Sequence, residues 1–137
     1  MDISARNQIK GRVTNIQSGK AMALITVQAD GLQLASAITN DAVQQLKLKQ
    51  NDQVTAIVKS TEVILAKGEV GQISARNRFS GQVGSVQKGD AMGVVTVTVG
   101  REHLAAAITT QAINEMGLKP GDQVTAIFKA TEVMLAK

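Results

Sequence analysis

The sequence predicts a mainly β chain built as two small five-stranded barrels in tandem, each with one short helix. Three observations lead there. First, Ile3-Ser4-Ala5-Arg6-Asn7 returns as Ile73-Ser74-Ala75-Arg76-Asn77, and the same offset carries Val54-Thr55-Ala56-Ile57 onto Val124-Thr125-Ala126-Ile127. Residues 3–67 and 73–137 align without a gap, about half of the positions being identical, so the chain is a duplicated unit. Second, each copy contains short β-rich runs, some of them alternating apolar with other residues, separated by turn signals. Third, once per copy this pattern gives way to near-helical spacing behind a threonine suited to N-capping.

The first strand is expected over Gln8 to Ile16, with Gly11 permitting a bulge or sharp bend. Ser18-Gly19-Lys20 reads as a turn, Ala21 to Ala29 as the second strand, and Asp30-Gly31 as a hairpin signal. Leu32 to Ile38 returns as the third strand. Thr39 then caps a helix of about 40–46, with Asp41 in its first turn. Gln53 to Val58 and Glu62 to Ala66 are the fourth and fifth strands. The second copy repeats the order with strands at Phe79 to Val86, Met92 to Val99, Leu104 to Ile108, Gln123 to Phe128 and Glu132 to Ala136. Its helix, about 110–116, is capped by Thr109 and ended by Gly117. Gly68 to Gln72 reads as a linker, giving domains at 1–68 and 69–137. Five strands with a helix between the third and fourth point to a small barrel of the OB type. An SH3-like barrel fits the same periodicity.

Composition narrows the function. The chain of 137 residues has no Cys and a single His, His103, which leaves no ordinary zinc site and no duplicated catalytic triad. His103 aligns with Gln33 and reads as a surface strand residue. No Walker-type glycine loop occurs, so no enzyme is expected. Phe79 and Phe128 are the only aromatics, too few for a base-stacking platform, and no nucleic-acid partner is expected. No stretch has the length of a signal peptide's apolar core or a membrane span; a soluble cytoplasmic protein without a membrane partner is the expectation. The net charge of +4 favours anionic ligands. Units of this size without staples call for oligomerisation.

Each copy repeats a set of hydrogen-bond donors. Ser4 and Arg6 lie two apart, so on an extended segment they face the same way; Ser74 and Arg76 repeat them. Lys59 and Lys129 stand where the fourth strand ends. Thr39 and Thr109 start helices whose first amides suit an anion. Hydroxyl, guanidinium, ammonium and amide donors together suit a tetrahedral oxyanion. Alone, each has a plainer reading: a strand start, a solvated cation, a cap.

The Ser-Ala-Arg-Asn opening, Gly11 and Val13, the Gly-x-x-Met turn, Ala-x-Ile-Thr before the helix and the Val-x-Ala-Ile-Val-Lys-Ser-Thr-Glu-Val-Ile-Leu close resemble the molybdopterin-binding-like Mop domain. The tandem resembles the cytoplasmic di-Mop molybdate-storage proteins called molbindins, over nearly the whole chain. That resemblance implies an OB-type barrel, a homotrimer, and molybdate or tungstate bound at subunit interfaces. It assigns the oxyanion to Ser4, Ala5, Arg6, Lys59 and Ser60 of one unit, with Thr39 and the amide near Ala42 from a neighbour. The second copy supplies Ser74, Ala75, Arg76, Lys129 and Ala130, with Thr109 and Ala112. Ala130 in place of Ser60 implies unequal affinities. A second class of site, on the threefold axis, would be lined by the turns Gly19, Ala21, Met22 and Gly89, Ala91, Met92; Asp90 places a carboxylate in the latter. The implied function is molybdate, and tungstate, binding for storage or homeostasis. The alternative is a ligand-sensing module of a molybdate-responsive regulator acting with a separate partner.

Overall fold

The computed structural model describes residues 1–137. The first copy supplies strands β1 (Asn7–Ser18), β2 (Met22–Ala29), β3 (Leu32–Thr39), β4 (Gln53–Val58) and β5 (Ile64–Ala66), with helix α1 (Asn40–Gln45) between β3 and β4. The second supplies β6 (Asn77–Lys88), β7 (Met92–Val99), β8 (Glu102–Thr109), β9 (Gln123–Phe128) and β10 (Met134–Ala136), with α2 (Thr110–Met116). Five strands and one short α-helix per copy agree with the sequence reading. The fifth strands are shorter than expected, because Ser60–Glu62 and Ala130–Glu132 form 3₁₀ turns. The bulge falls between Val13 and Asn15, not at Gly11. Gly11 answers a different need: a Cβ there would stand 2.7 Å from Val27 Cγ1 and 2.8 Å from the Gln28 carbonyl, so the close approach of β2 excludes a side chain.

Strand alternation decides what is buried. Ile9, Val13, Ile25, Val27, Leu34 and Val58 point inward in the first sheet, and Val83, Val95, Val97, Leu104 and Phe128 in the second, within one continuous apolar core. Both aromatics are spent there, Phe79 and Phe128 lying 5.8 Å apart as a tilted pair.

The two curled sheets are not each made from one copy. Their strand orders are β10-β4-β1-β2-β3 and β5-β9-β6-β7-β8. Each sequence copy therefore hands its last strand to the other's sheet: Met134, Leu135 and Ala136 pair with Ile57, Ala56 and Thr55, while Ile64, Leu65 and Ala66 pair with Ile127, Ala126 and Thr125. The end strands approach one another, β10 beside β3 and β5 beside β8, so each sheet nearly closes.

Lysines lock the exchange. Lys137 Nζ, just past β10, lies 2.9 Å from Asp52 Oδ2 and donates to the Lys47 carbonyl at 3.0 Å. Lys67 Nζ, just past β5, lies 3.2 Å from Asp122 Oδ2 and donates to the Met116 carbonyl at 3.1 Å. Each lysine thus meets a carbonyl at the end of the other copy's helical segment and the acidic residue of the turn before that copy's fourth strand. The bond from Lys137 and the Lys49 amide hold the Asp52 carboxyl below its ordinary pKa of 3.8. The Lys119 amide and then Lys67 do the same for Asp122.

Candidate functional site

The duplicated donors gather where the β1–β4 ladder ends. Asn7 is paired with Val58, so Arg6 and Lys59 leave that last pair side by side; Asn77 and Phe128 do the same for Arg76 and Lys129. Alternation continues just outside the strand. Ser4 and Arg6 are exposed while Ala5 and Asn7 are buried, and Ser74, Arg76, Ala75 and Asn77 follow suit. Both residues of each pair are thus in solvent, but each stands at a bend of the chain and not on the extended segment expected. Ser60 follows Lys59 at the start of its 3₁₀ turn and is half-buried, whereas Ala130 is buried.

The cations are held lightly. Lys59 Nζ lies 3.7 Å from Glu62 Oε1 and Lys129 Nζ 3.6 Å from Glu132 Oε1, with both lysines mostly exposed. Such surface pairs contribute at most about 1 kcal/mol, so an incoming anion displaces them at small cost. Arg6 folds onto its own segment, donating to the carbonyls of Ser4 and Ile3 at 3.1 Å each. It lines an open depression of about 470 Å³ with Met1, Asp2, Ile3, Ser4 and Gln8. Arg76 instead faces the first copy, lining a depression of about 380 Å³ with residues that include Gly19, Met22 and Ala37.

The helix starts lie elsewhere in their own copies. Thr39 pairs with Met22, at the end of β1 far from Asn7, and Thr109 pairs with Met92 in the same way. Thr39 Oγ1 accepts the Ala42 amide at 3.0 Å and Thr109 Oγ1 accepts the Ala112 amide at 3.0 Å. Those two amides are already engaged, so an anion there must exchange with the capping hydroxyl. The turns proposed for the threefold axis are tied to the helix starts too. Gly19 N donates to the Met22 carbonyl, Asn40 N to Ala21 and Asn40 Nδ2 to Gly19. Gly89, Ala91 and Met92 repeat the arrangement through Thr110, leaving Met22 and Met92 exposed. His103 is exposed, its Nδ1 3.2 Å from Thr98 Oγ1. No cluster of His, Cys, Asp and Glu is placed to hold a metal ion. No helix is long and apolar enough to cross a membrane.

Against this geometry, the family comparison is direct. The TOBE domain matches twice, over residues 3–65 and 73–135. The chain belongs to the TOBE-domain family. Both TOBE domains contain the Ser-Ala-Arg-Asn opening and the fourth-strand lysine, which upholds the resemblance read from those residues. The tandem is 36% identical over 139 residues to the molybdenum transport protein ModE of Herbaspirillum seropedicae and 33% identical to the molybdenum-pterin-binding protein MopA of Rhodobacter capsulatus, covering 99% of this chain each time. It spans about half, 52%, of each of those relatives. A single TOBE copy is 41% identical over 66 residues to molybdenum-pterin-binding protein 2 of Clostridium pasteurianum, covering 97% of that protein. Among solved structures, the cytoplasmic molybdate-binding protein ModG, crystallised with molybdate bound, superposes with a TM-score of 0.95 at 32% identity, 99% of each chain being covered.

The residue that the sequence reading passed over is the asparagine closing each Ser-Ala-Arg-Asn stretch. Asn7 and Asn77 are almost fully buried polar residues. Their amides bond to the opposite copy: Asn7 to both backbone groups of Ala105, and Asn77 to both of Ala35. The signal was in view, since a polar residue at an inward-facing strand position demands a partner.

Proposed function

We propose that this protein binds molybdate, and tungstate with it, as a cytoplasmic storage or homeostasis protein without catalytic activity. The observation that carries the reading is the paired arginine and lysine at the end of each β1–β4-type ladder, exposed and opposed only by a weak glutamate pair. Ser4, Ala5, Arg6, Lys59 and Ser60 form the first half-site; Ser74, Ala75, Arg76, Lys129 and Ala130 form the second. Thr39 and Thr109, with the starts of α1 and α2 around Ala42 and Ala112, complete sites across a homotrimer. The turns at Gly19, Ala21, Met22 and Gly89, Ala91, Met92 are a second, axial class. The likeness to molybdate-bound ModG over the whole chain supports this reading. Elemental analysis of the purified protein for Mo and W, with calorimetric titration of both oxyanions, tests it. Failure to bind either at micromolar concentration overturns it. Sedimentation equilibrium tests the trimer; a 14.4 kDa monomer in the presence of ligand counts against it.

A second reading, favoured by the match to half of ModE, makes the tandem the sensing part of a molybdate-responsive regulator. Molybdate-dependent association with a separate DNA-binding protein would select it over storage.

A further inference from the structure

The Ser-Ala-Arg segments stand outside the ladders: β1 begins at Asn7 and β6 at Asn77. Something other than strand pairing must fix where residues 4–6 and 74–76 point. Local bonds help: Arg6 donates to the Ser4 and Ile3 carbonyls at 3.1 Å each, Gln8 Nε2 to the Ala5 carbonyl at 3.1 Å, and Arg78 to the Val70 carbonyl at 2.9 Å. The larger constraint comes from across the molecule. Asn7 Nδ2 donates to the Ala105 carbonyl at 2.9 Å and its Oδ1 accepts the Ala105 amide at 2.7 Å. Asn77 makes the same pair with Ala35, at 2.8 Å each way. Ala105 lies on β8 and Ala35 on β3, the strands at one edge of each sheet. The asparagine amide acts there as one more peptide group, satisfying the two backbone groups that face away from the sheet.

We propose that Asn7 and Asn77 are positioning residues for oxyanion binding, each registering the Ser-Ala-Arg segment of one copy on the strand that runs into the capping threonine of the other. The inference rests on the oxyanion reading above. From Ala105, β8 continues to Thr109; from Ala35, β3 continues to Thr39. Within its own copy each segment is separated from its threonine by the length of β1 or β6. The clamp places it on the opposite copy's threonine-bearing strand instead, and Arg76 accordingly shares its depression with Ala37, Met22 and Gly19. Ala5 and Asn7 are buried while Ser4 and Arg6, each at a bend, are exposed, so an anchored Asn7 leaves Arg6 and Ser4 on the solvent side. Losing the clamp frees that choice of face. The pairing is reciprocal, so each half-site depends on the sheet that the other copy builds.

The two clamps differ in their surroundings. Beside Ala35, Ser36 Oγ donates to the Val133 carbonyl at 2.7 Å and ties down the 3₁₀ turn after Lys129. Beside Ala105 the equivalent residue is Ala106, which has no hydroxyl. The second half-site thus has a tie on the turn after its lysine that the first lacks.

The test compares the whole chain with its Asn7→Ala, Asn77→Ala and Val97→Ala variants. Val97 is a fully buried core residue in neither clamp, so its variant controls for lost stability. Sodium molybdate is titrated by calorimetry, apo unfolding is followed by circular dichroism, and the order parameter of the Ala5 methyl group is measured by NMR without ligand. Asn7→Ala is expected to weaken the sites that depend on Lys59 by tenfold or more and to lower the Ala5 order parameter. Asn77→Ala should weaken the sites that depend on Lys129, by a smaller factor. Val97→Ala should lower the apo midpoint yet keep affinity within twofold and leave Ala5 rigid. If Asn7→Ala does no more than Val97→Ala in affinity and in Ala5 order, the asparagine is only structural and the proposal falls. If Asn7→Ala does not fold, Asn7→Ser, which retains one polar partner for Ala105, decides by the same two readouts. Should the wild-type chain bind no molybdate, the oxyanion reading fails, and the Ala5 methyl still decides the positioning role.

Discussion

Replacing Lys59 and Lys129 together by alanine separates an oxyanion site from a solvated strand end. Without ligand each lysine loses only its pair with Glu62 or Glu132, at 3.7 and 3.6 Å, made by side chains that are 60% and 64% exposed on the lysine side. An exposed pair of that kind contributes about 0–1 kcal/mol, so losing both should move the apo unfolding midpoint by less than about 8 °C. With ligand the change is different in kind. A hydrogen bond from an ammonium to an anion contributes about 1.5–3 kcal/mol, which is roughly ten- to a hundredfold in dissociation constant. The assay is molybdate calorimetry alongside thermal unfolding of the apo protein. Weakened binding with an unmoved midpoint supports the site. Affinity kept within twofold places the oxyanion on other residues. A midpoint lowered by ten degrees or more makes the lysines structural and removes the ground for the argument.

The exchanged strand makes a sharper claim about stability. Deleting residues 133–137 should strip β4 of its outer partner, so hydrogen exchange should rise at Thr55 to Ile57 of the first copy and change little at Thr125 to Ile127. Acid should loosen the lysine latches. The Asp52 and Asp122 carboxyls are held below their ordinary value of 3.8 in the folded protein, so their contribution is fully present above that value and is lost as pH falls through the lowered one. The variant Lys67→Ala, Lys137→Ala should flatten the acid limb of a stability-versus-pH curve below pH 4, and an unaltered limb would assign it elsewhere. A third expectation concerns Gly93, where an added Cβ would stand 2.5 Å from Ile113 Cδ1 and 2.7 Å from the Gln87 carbonyl oxygen. Gly93→Ala should cost about 1–3 kcal/mol by overpacking. Adding Ile113→Val should recover the part due to the isoleucine, because the first copy already combines Ala23 with Val43, and leave the part due to the Gln87 carbonyl; the denaturation midpoints of the single and double variants check this.

Much of the fold was legible because strand period and capping chemistry are local. Gln53 to Val58, Met92 to Val99 and Gln123 to Phe128 came out with the bounds expected, and Thr39 and Thr109 cap as their residue type prescribes. The exchange of β5 and β10 was not legible, and the reason is degeneracy. The partner strands read Val-Thr-Ala-Ile in both copies, so Ile64-Leu65-Ala66 and Met134-Leu135-Ala136 meet the same surface at home or away. What selects the distant partner is the direction in which the 3₁₀ turns after Lys59 and Lys129 send the chain, onto β8 and β3. The candidate site was legible as a set of donors but not as an arrangement. Spacing picked out Ser4 and Arg6, and the capping of Thr39 and Thr109 engages the Ala42 and Ala112 amides locally, yet the anchoring of each segment through Asn7 and Asn77 depends on contacts between copies that no local pattern encodes.

The pairing of Met134 with Ile57 also sets an order of events at the ribosome. The first sheet waits for Met134, Leu135 and Ala136, so the N-terminal half emerges and remains without that strand until they are made. Meanwhile the edge of β4 is open, and so is the Ala105 clamp for Asn7, whose strand is not yet made. A nascent chain stalled anywhere before residue 134 thus exposes an unfinished edge, the kind that recruits a neighbouring strand. Two chains translated close together on one message have the means to finish each other's sheets.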